Sequence, residues 1–464
     1  MANAFFSDLL ATISERGRTL LHRGKPDDGK EDAGGLIALC EAVLSGRGEA
    51  SGTAMASEVL DRYHDLDATE QLAFFQALAR NFGPDRDKVN KAIEAWMAEP
   101  GDGNGGALHF ASEPRRQELI RRLNRAPGGT ADLVAMRADL LSLMNGDKNG
   151  NGDETSARDL AALDRDVVHL LASWFNRGFL VLRRIDWSTP ANILEKIIRY
   201  EAVHEIRGWN DLRRRIDPVD RRCYAFFHPA LVDEPLIFVE VALTEDIPHA
   251  IAPLLAEDRE PVAVERARTA VFYSISNTQR GLGGISFGNF LIKQVVEELR
   301  RELPKLENFV TLSPVPGFTK WLKTTAYLPV TEDERPVLKH LDEPDWWRNP
   351  ELEGQLRPIV ETLAAYYFLK ARTAKGRLID SVARFHLGNG ARLERINWLG
   401  DVSPKGLRES AGVMVNYLYR LDDIEKNHEA YANDGTIVAS SAVKKLLKAE
   451  GRRLLDIVAL QKQA

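Results

Sequence analysis

Near Gly178 the hydrophobic rhythm of this chain changes, and that change limits its fold more than any other feature. Upstream, apolar residues recur three and four apart in "ATEQLAFFQALARNF", "DRDKVNKAIEAWMAE", "RRQELIRRLNRA", "ADLVAMRADLLSLM" and "ARDLAALDRDVVHLLASWFNRG". That spacing lines one face of a helix. Polar, glycine-rich stretches, "GKPDDGKEDAGG", "EPGDGNGGA" and "NGDKNGNGDE", read as the breaks between helices. Downstream, "FLVLRR", "RCYAFFH", "PLIFVEVAL", "TAVFYSIS", "NFVTLSP", "LERINWL" and "GVMVNYLY" are short, aromatic and β-branched, which predicts strands. Helical patterns intervene in "PANILEKIIRYE", "FLIKQVVEELRREL", "QLRPIVETLAAYYFLKAR" and "SAVKKLLKAEGRRLLDIVALQ". The expectation is a multidomain chain: an N-terminal all-α helical bundle over residues 1–180, then an α/β (α+β) domain with one mixed sheet over 181–464. The boundary falls between about 178 and 190.

A chain of 464 residues is too long for one core, which agrees with two domains. The net charge of -6 supplies no basic field, so nucleic acid is not an expected partner. No stretch approaches the roughly 18 consecutive apolar residues of a membrane span. Two cysteines, Cys40 and Cys223, make neither a disulfide framework nor a zinc motif. The first residues carry arginines on an amphipathic pattern, but Asp8 and Glu15 oppose an organelle presequence and the apolar run is short for a secretory signal. The cytoplasm is the expected compartment.

The stretch "DKNGNG", Asp147 to Gly152, copies the first half of a calcium loop. Its twelfth position is Arg158 where a bidentate glutamate is required, so no metal is expected there. The stretch "RGLGGISFGN", residues 280–289, is more informative, because it joins a predicted strand to a predicted helix. Such a corner aims free backbone N–H groups at one point, where a phosphate or pyrophosphate fits. The plain alternative is a tight turn that lets the helix pack on the sheet. A P-loop is excluded for want of Gly-Lys-Ser/Thr. Gly281, Gly283 and Ser286 nearly meet the dinucleotide fingerprint, but the next strand ends in Ser313-Pro314 and offers no acidic ribose ligand. Acyl-CoA binding in the acetyltransferase style fits better, although the Arg-x-x-Gly-x-Gly/Ala pattern fails at Ile285.

In "TLSPVPGFTKWL" a strand delivers Ser313 to its carboxyl end, where open α/β sheets bind ligands; a turn cap is its plainer use. His386, in "ARFHLGNGARLERINWL", is expected near the end of a strand at a tight turn, with a pKa suited to catalysis and a structural role as the alternative. The clusters Arg213-Arg214-Arg215 and Arg221-Arg222 could meet CoA phosphates, with a solvated face as the simpler expectation.

Taken in order, "EAVHEIRGWNDLRRRIDPVDRRCYAFFHP", "VFYSISNTQRGLGGISFGNFLIKQVVEEL", "TLSPVPGFTKWL", "FHLGNGARLERINWLGDVS" and "GVMVNYLYRLDD" resemble the malonyl-CoA decarboxylase family, over roughly residues 160 to 420. The resemblance implies an N-terminal helical domain that assembles a homo-oligomer, dimer or tetramer, and a C-terminal catalytic domain of the acetyltransferase (GNAT) fold. It implies that malonyl-CoA becomes acetyl-CoA and CO2 without a metal or organic cofactor, CoA being part of substrate and product. By resemblance, Ser313, His386 and Tyr419 are the catalytic residues. Gly283, Gly284, Ile285, Ser286, Phe287, Gly288 and Asn289 form the malonyl-CoA-binding loop. Eukaryotic members carry a glutamate where this chain has Ser286, so a carboxylate role at that position does not carry over. The rival functions are a GNAT-type acyltransferase, which needs an acceptor, and a non-catalytic malonyl-CoA sensor.

Overall fold

The computed structural model describes residues 33–45, 48–147, 154–285, 291–325 and 328–448. The chain packs as two compact units. One holds residues Met1–Val181 together with Phe227–Leu236 and Thr278–Phe287; the other holds Leu182–Phe226, Ile237–Asn277 and Gly288–Ala464.

The first unit is helical: α1 (Ala33–Leu44), α2 (Glu49–His64), α3 (Ala68–Asn81), α4 (Arg86–Ala98), α5 (Asp102–Ser112), α6 (Arg115–Leu123), α7 (Gly129–Asp147) and α8 (Glu154–Trp174). Side chains mark several starts. Asp67 accepts from Thr69 and Glu70 N–H while Glu70 returns a bond to Asp67 N–H, a full capping box that satisfies donors the first turn would otherwise leave open. Buried Tyr63, Phe74, Phe75, Leu78, Leu119 and Leu163 fill the core between these helices.

Helix α5 corrects the sequence expectation, since "EPGDGNGGA" reads as a break and instead contributes most of its residues to a helix. Glycine disfavours a helix by about 1 kcal/mol per residue relative to alanine. Packing against α4 overrides that here. A Cβ at Gly105 would come within 3.1 Å of the Trp96 ring, and Asn104 Nδ2 donates to Glu99 O at 2.8 Å.

The second unit is built on an eight-stranded mixed sheet, ordered β1-β2-β3-β4-β5-β8-β6 with β7 paired to β8. The strands are β1 (Val181–Ile185), β2 (Arg221–Phe227), β3 (Pro235–Thr244), β4 (Thr269–Asn277), β5 (Asn308–Thr311), β6 (Ser313–Pro314), β7 (Arg392–Asn397) and β8 (Met414–Tyr419). Antiparallel pairing of β3 with β4 gives way to a parallel β4–β5 pair, which needs a crossover. Helix α11 (Leu291–Glu302) supplies it and buries Leu291, Ile292, Val295, Val296 and Leu299 on one stripe. Helices α9 (Ala191–Tyr200), α10 (Trp209–Ile216), α12 (Phe318–Thr324), α13 (Pro350–Leu369), α14 (Ser381–Gly388), α15 (Pro404–Ser410), α16 (Leu421–Asp434) and α17 (Ser441–Lys448) complete the unit. Ala242, Val271, Tyr273, Val310, Leu312, Met414 and Leu418 form one core cluster on the sheet.

Within this unit Arg215 is 4% exposed and binds the backbone of the α9–α10 connection, donating to His204 O at 2.7 Å and Glu205 O at 2.8 Å. It also meets Glu240 of β3 at 3.2 Å. Burial, reinforced by the charge of Glu201, raises the Glu240 carboxyl to about 8 despite the guanidinium. The folded state therefore holds a proton that the unfolded chain loses near 4.5, and this contribution to stability declines as pH rises from about 4.5 to 8. Replacing Glu240 with Gln should remove a slope of up to about 1.4 kcal/mol per pH unit. Urea unfolding of both proteins at pH 5.5 and 8 checks this: the variant should gain relative stability at the higher pH.

Candidate active site

In the first unit, the glycine corner is built on two local constraints. After β4 a short 3₁₀ turn spans Arg280–Leu282, and Gly283 N–H donates to Arg280 O while Ile285 N–H donates to Leu282 O. Gly281 is there for packing: a Cβ would lie 1.8 Å from Val134 O of α7. Gly284 is there for conformation, with φ of +79° and nothing within 4 Å of a built Cβ. Arg137 of α7 reaches this turn and donates through Nη1 to Gly281 O at 2.6 Å and Gly283 O at 2.9 Å. Gly283, Gly284 and Ile285 of the expected binding loop are thus placed. Ser286, Phe287, Gly288 and Asn289 lie outside the described residues. So do Lys148 to Gly152 of the calcium-like stretch. Among the described residues no group of three or more His, Cys, Asp or Glu side chains could hold a metal ion.

In the second unit, the β5–β8 ladder is broken at Thr311, and a polar cluster fills the break. Phe309 and Val310 pair with Tyr419 and Leu418, and pairing resumes where Ser313 meets Val415. Between these points, Tyr417 N–H donates to the Thr311 hydroxyl at 3.2 Å and Asn416 Nδ2 donates to Thr311 O at 2.8 Å. Leu312 N–H continues the parallel ladder to Phe272 O of β4, as Asn308 N–H does to Arg268 O. The main-chain groups freed by the break thus find other partners, as buried backbone must.

Ser313, His386 and Tyr419 meet in this break. Ser313 Oγ lies 3.2 Å from His386 Nε2 and donates to Thr311 Oγ1 at 2.9 Å. On the other side of the ring, His386 Nδ1 lies 2.8 Å from the Tyr419 hydroxyl. One tautomer gives the protons of both Tyr419 and Ser313 an acceptor. Burial pushes the Tyr419 hydroxyl well above its ordinary value, so it keeps its proton and donates to Nδ1. Nε2 then carries the imidazole proton and donates to Ser313, whose own proton goes to Thr311. The Tyr417 ring stacks on the imidazole at 4.6 Å, tilted 24°. Burial alone pulls His386 down to about 3, so the ring is neutral across the physiological range.

The sequence reading was right about the company His386 keeps and wrong about its element. The residue sits on helix α14, not near a strand end; Asp380 begins that helix by accepting from Ala383 N–H at 2.6 Å. The expected tight turn follows the helix. Gly390 has φ of +79°, and a Cβ there would approach Ile424 O to 2.2 Å. Thr311, Asn416 and Tyr417 escaped the sequence reading. Thr311 and Tyr417 each stand two residues before a candidate, on Ser313 and Tyr419 respectively, and period-two spacing is a signal that could have found them.

The arginine clusters divide differently from the solvated face expected of them. Arg213 is exposed and pairs with Asp217, and half-buried Arg214 pairs with Glu257. Arg215, Arg221 and Arg222 are buried structural cations: Arg221 Nη2 donates to Leu254 O at 2.6 Å, and Arg222 binds Glu302 at 2.7 Å. Their donors are spent inside the unit.

A helical region followed by a mixed sheet with a parallel β–α–β crossover defines the class: an all-α segment joined to an α+β domain. Comparison with known proteins narrows the class. The model of the malonyl-CoA decarboxylase C-terminal domain matches residues 178–456, and that of the N-terminal domain matches residues 82–175. A mitochondrial malonyl-CoA decarboxylase of Anser anser anser is 38% identical over 421 residues, covering 84% of this chain and 82% of its own. The Mus musculus counterpart is 35% identical over 421 residues, covering 82% of each. Among solved structures, malonyl-CoA decarboxylase from Rhodopseudomonas palustris superposes with a TM-score of 0.84 at 59% identity, covering 89% of this chain and 99% of that one. The Agrobacterium vitis enzyme gives 0.83 at 55%, with the same coverage. The chain belongs to the malonyl-CoA decarboxylase family, carboxy-lyases that convert malonyl-CoA to acetyl-CoA and CO2.

The buried neutral imidazole has a consequence for stability. An unfolded histidine takes up a proton near 6.5, whereas His386 in the fold resists it down to about 3. The unfolded state binds more protons in that window, so stability falls as pH drops through it. His204, pulled down to about 4 chiefly by burial, acts in the same sense. Urea titrations between pH 4.5 and 6.5 should show a shallower acid loss in His386→Gln than in the unsubstituted protein, by up to about 1.4 kcal/mol per pH unit.

Proposed function

We propose that Ser313, His386 and Tyr419 carry out the decarboxylation, and that the Gly283–Asn289 stretch binds the CoA portion of malonyl-CoA. The observation that carries this reading is the continuous relay from Tyr419 through His386 to Ser313, within a buried break in the sheet. Loss of CO2 breaks the bond between the malonyl carboxylate and C2, and the electron pair passes into the thioester carbonyl as an enolate. Three things lower that barrier: a fixed orientation, a donor at the developing oxyanion, and a proton for C2. His386 polarises the thioester oxygen or supplies the proton, with Tyr419 holding Nδ1. Ser313 hydrogen-bonds the malonyl carboxylate and relays the proton to C2, and solvent restores it. A neutral imidazole suits the first role, because it donates without adding a charge to a dry site.

The thioester is itself the electron sink, so the reaction as proposed uses neither metal nor organic cofactor. His386→Asn should lower kcat by about 100-fold or more while malonyl-CoA binding stays within a few-fold. Acetyl-CoA and CO2 release without an acceptor, followed alongside calorimetric binding, checks it. Near-normal turnover in the variant would exclude His386. Release that requires an added amine would favour an acyltransferase, and binding without release a sensor. A stable malonyl adduct on Ser313 by intact-protein mass would replace the relay with covalent catalysis.

We further propose that residues 1–180 assemble a homo-oligomer, dimer or tetramer, and that the protein works in the cytoplasm. Ile93, Trp96, Met97 and Phe110 of α4 and α5 support the first reading, since they are exposed large apolar side chains concentrated on neighbouring helices. Free, buried Cys40 and Cys223 suit a reducing compartment. No helix among the described residues is long and apolar enough to cross a membrane. Light scattering should give a multiple of 51.9 kDa for the unsubstituted chain and a smaller particle for Met97→Asp with Phe110→Ser.

A further inference from the structure

We infer that Arg137 of α7 is a positioning residue for substrate: it fixes the peptides of the glycine corner so that Gly284 presents its N–H to a phosphate oxygen of the CoA thioester. This deepens the reading of the corner given above and rests on it. Arg137 is 4% exposed. Its Nη1 donates to Gly281 O and Gly283 O, and its Nε donates to Asp164 Oδ1 of α8 at 2.8 Å. The guanidinium is therefore held by a carboxylate from one helix while it holds two carbonyls of the turn, a rigid fork with several simultaneous partners.

Peptide stereochemistry supplies the next step. In a trans peptide the carbonyl and the following N–H point in opposite directions. With Gly283 O drawn to Arg137, the N–H of Gly284 points away from the cation. No described residue accepts from that N–H. The other clamped peptide, Gly281–Leu282, is oriented the same way, and its N–H, on Leu282, is used by Gln279 O. A full positive charge at the carbonyl end also polarises the peptide toward its N–H, which favours an anion there. Gly284 has φ of +79°, and no atom lies within 4 Å of a built Cβ, so the donor is not screened by a side chain. A clamp that only fastened α7 to the turn would be served by the Gly281 contact with Val134, where a built Cβ would lie 1.8 Å from Val134 O.

The test uses the full chain and two substrates. Malonyl-CoA carries the nucleotide; malonyl-N-acetylcysteamine offers the same acyl thioester with no phosphate. Arg137→Met should raise KM for malonyl-CoA about ten-fold with kcat within about two-fold, and leave kinetics on the short thioester unchanged. Arg137→Lys, which keeps the charge but not the fork, should fall between. Equal losses on both substrates, or an unchanged KM for malonyl-CoA, would overturn the inference. Gly284→Asp separates it from the reading it rests on. If that variant leaves the malonyl-CoA KM untouched, the corner does not bind the nucleotide. If it raises KM while Arg137→Met does not, only the role of Arg137 fails. Should Arg137→Met not fold, Asp164→Asn releases the guanidinium from its anchor and should raise the malonyl-CoA KM about three-fold with the same substrate selectivity; a loss without that selectivity counts against the inference.

Discussion

Main-chain pairing between β5 and β8 gives way at Thr311, and the arrangement around Ser313 depends on how that loss is made good. Between Val310 and Ser313 the parallel ladder to β4 continues through Leu312 N–H, while on the β8 side Thr311 O accepts from the Asn416 amide and the Thr311 hydroxyl accepts from Tyr417 N–H. An uncompensated break would strand buried donors and acceptors at roughly 1–3 kcal/mol each. Asn416 and the Thr311 hydroxyl meet that demand. The same hydroxyl then receives Ser313, so a group recruited to mend the sheet becomes the far end of the relay.

Water exclusion sets the chemistry of that relay. His386 is buried against Tyr417, Tyr419 and Ser313, and no carboxylate among the described residues hydrogen-bonds its ring. A partner carboxylate would draw the ring toward imidazolium; a phenol does not. The result is a histidine that donates and accepts through neutral atoms, and whose tautomer is set by a tyrosine that keeps its proton. In the proposed reaction negative charge develops on the substrate, and a neutral donor can stabilise it without having first bound the substrate carboxylate too tightly to let it leave.

Much of this was legible in the chain. The change of period near Gly178 separates helices from strands because amphipathic spacing is set locally, and the strands from "FLVLRR" to "GVMVNYLY" stand where their residues predict. The family resemblance singled out the glycine corner, Ser313, His386 and Tyr419, and the fold brings the last three into hydrogen-bond contact. What escaped depends on partners that neither period nor motif marks. Helix α5 forms in a glycine-rich stretch because Trp96 packs on Gly105. Helix α14 is begun by Asp380, a cap easily missed beside an aromatic pattern that looks extended. Arg215, Arg221 and Arg222 look solvated in a basic run and are buried, since their acceptors come from remote elements. Neither hydrophobic period nor motif encodes those partners.

The approach of Gly281 to Val134 reaches beyond the chemistry of either residue. The oxygen concerned belongs to the backbone of α7, so no change of side chain at position 134 can make room for a Cβ at position 281. Drift in the helical segment and drift in the corner are therefore tied together across nearly 150 positions. A hybrid that joined the helical segment of one relative to the sheet of another would keep its fold only if the two parents shared the path of α7 to within a few tenths of an ångström. Recombination between lineages should find its permitted crossover points elsewhere.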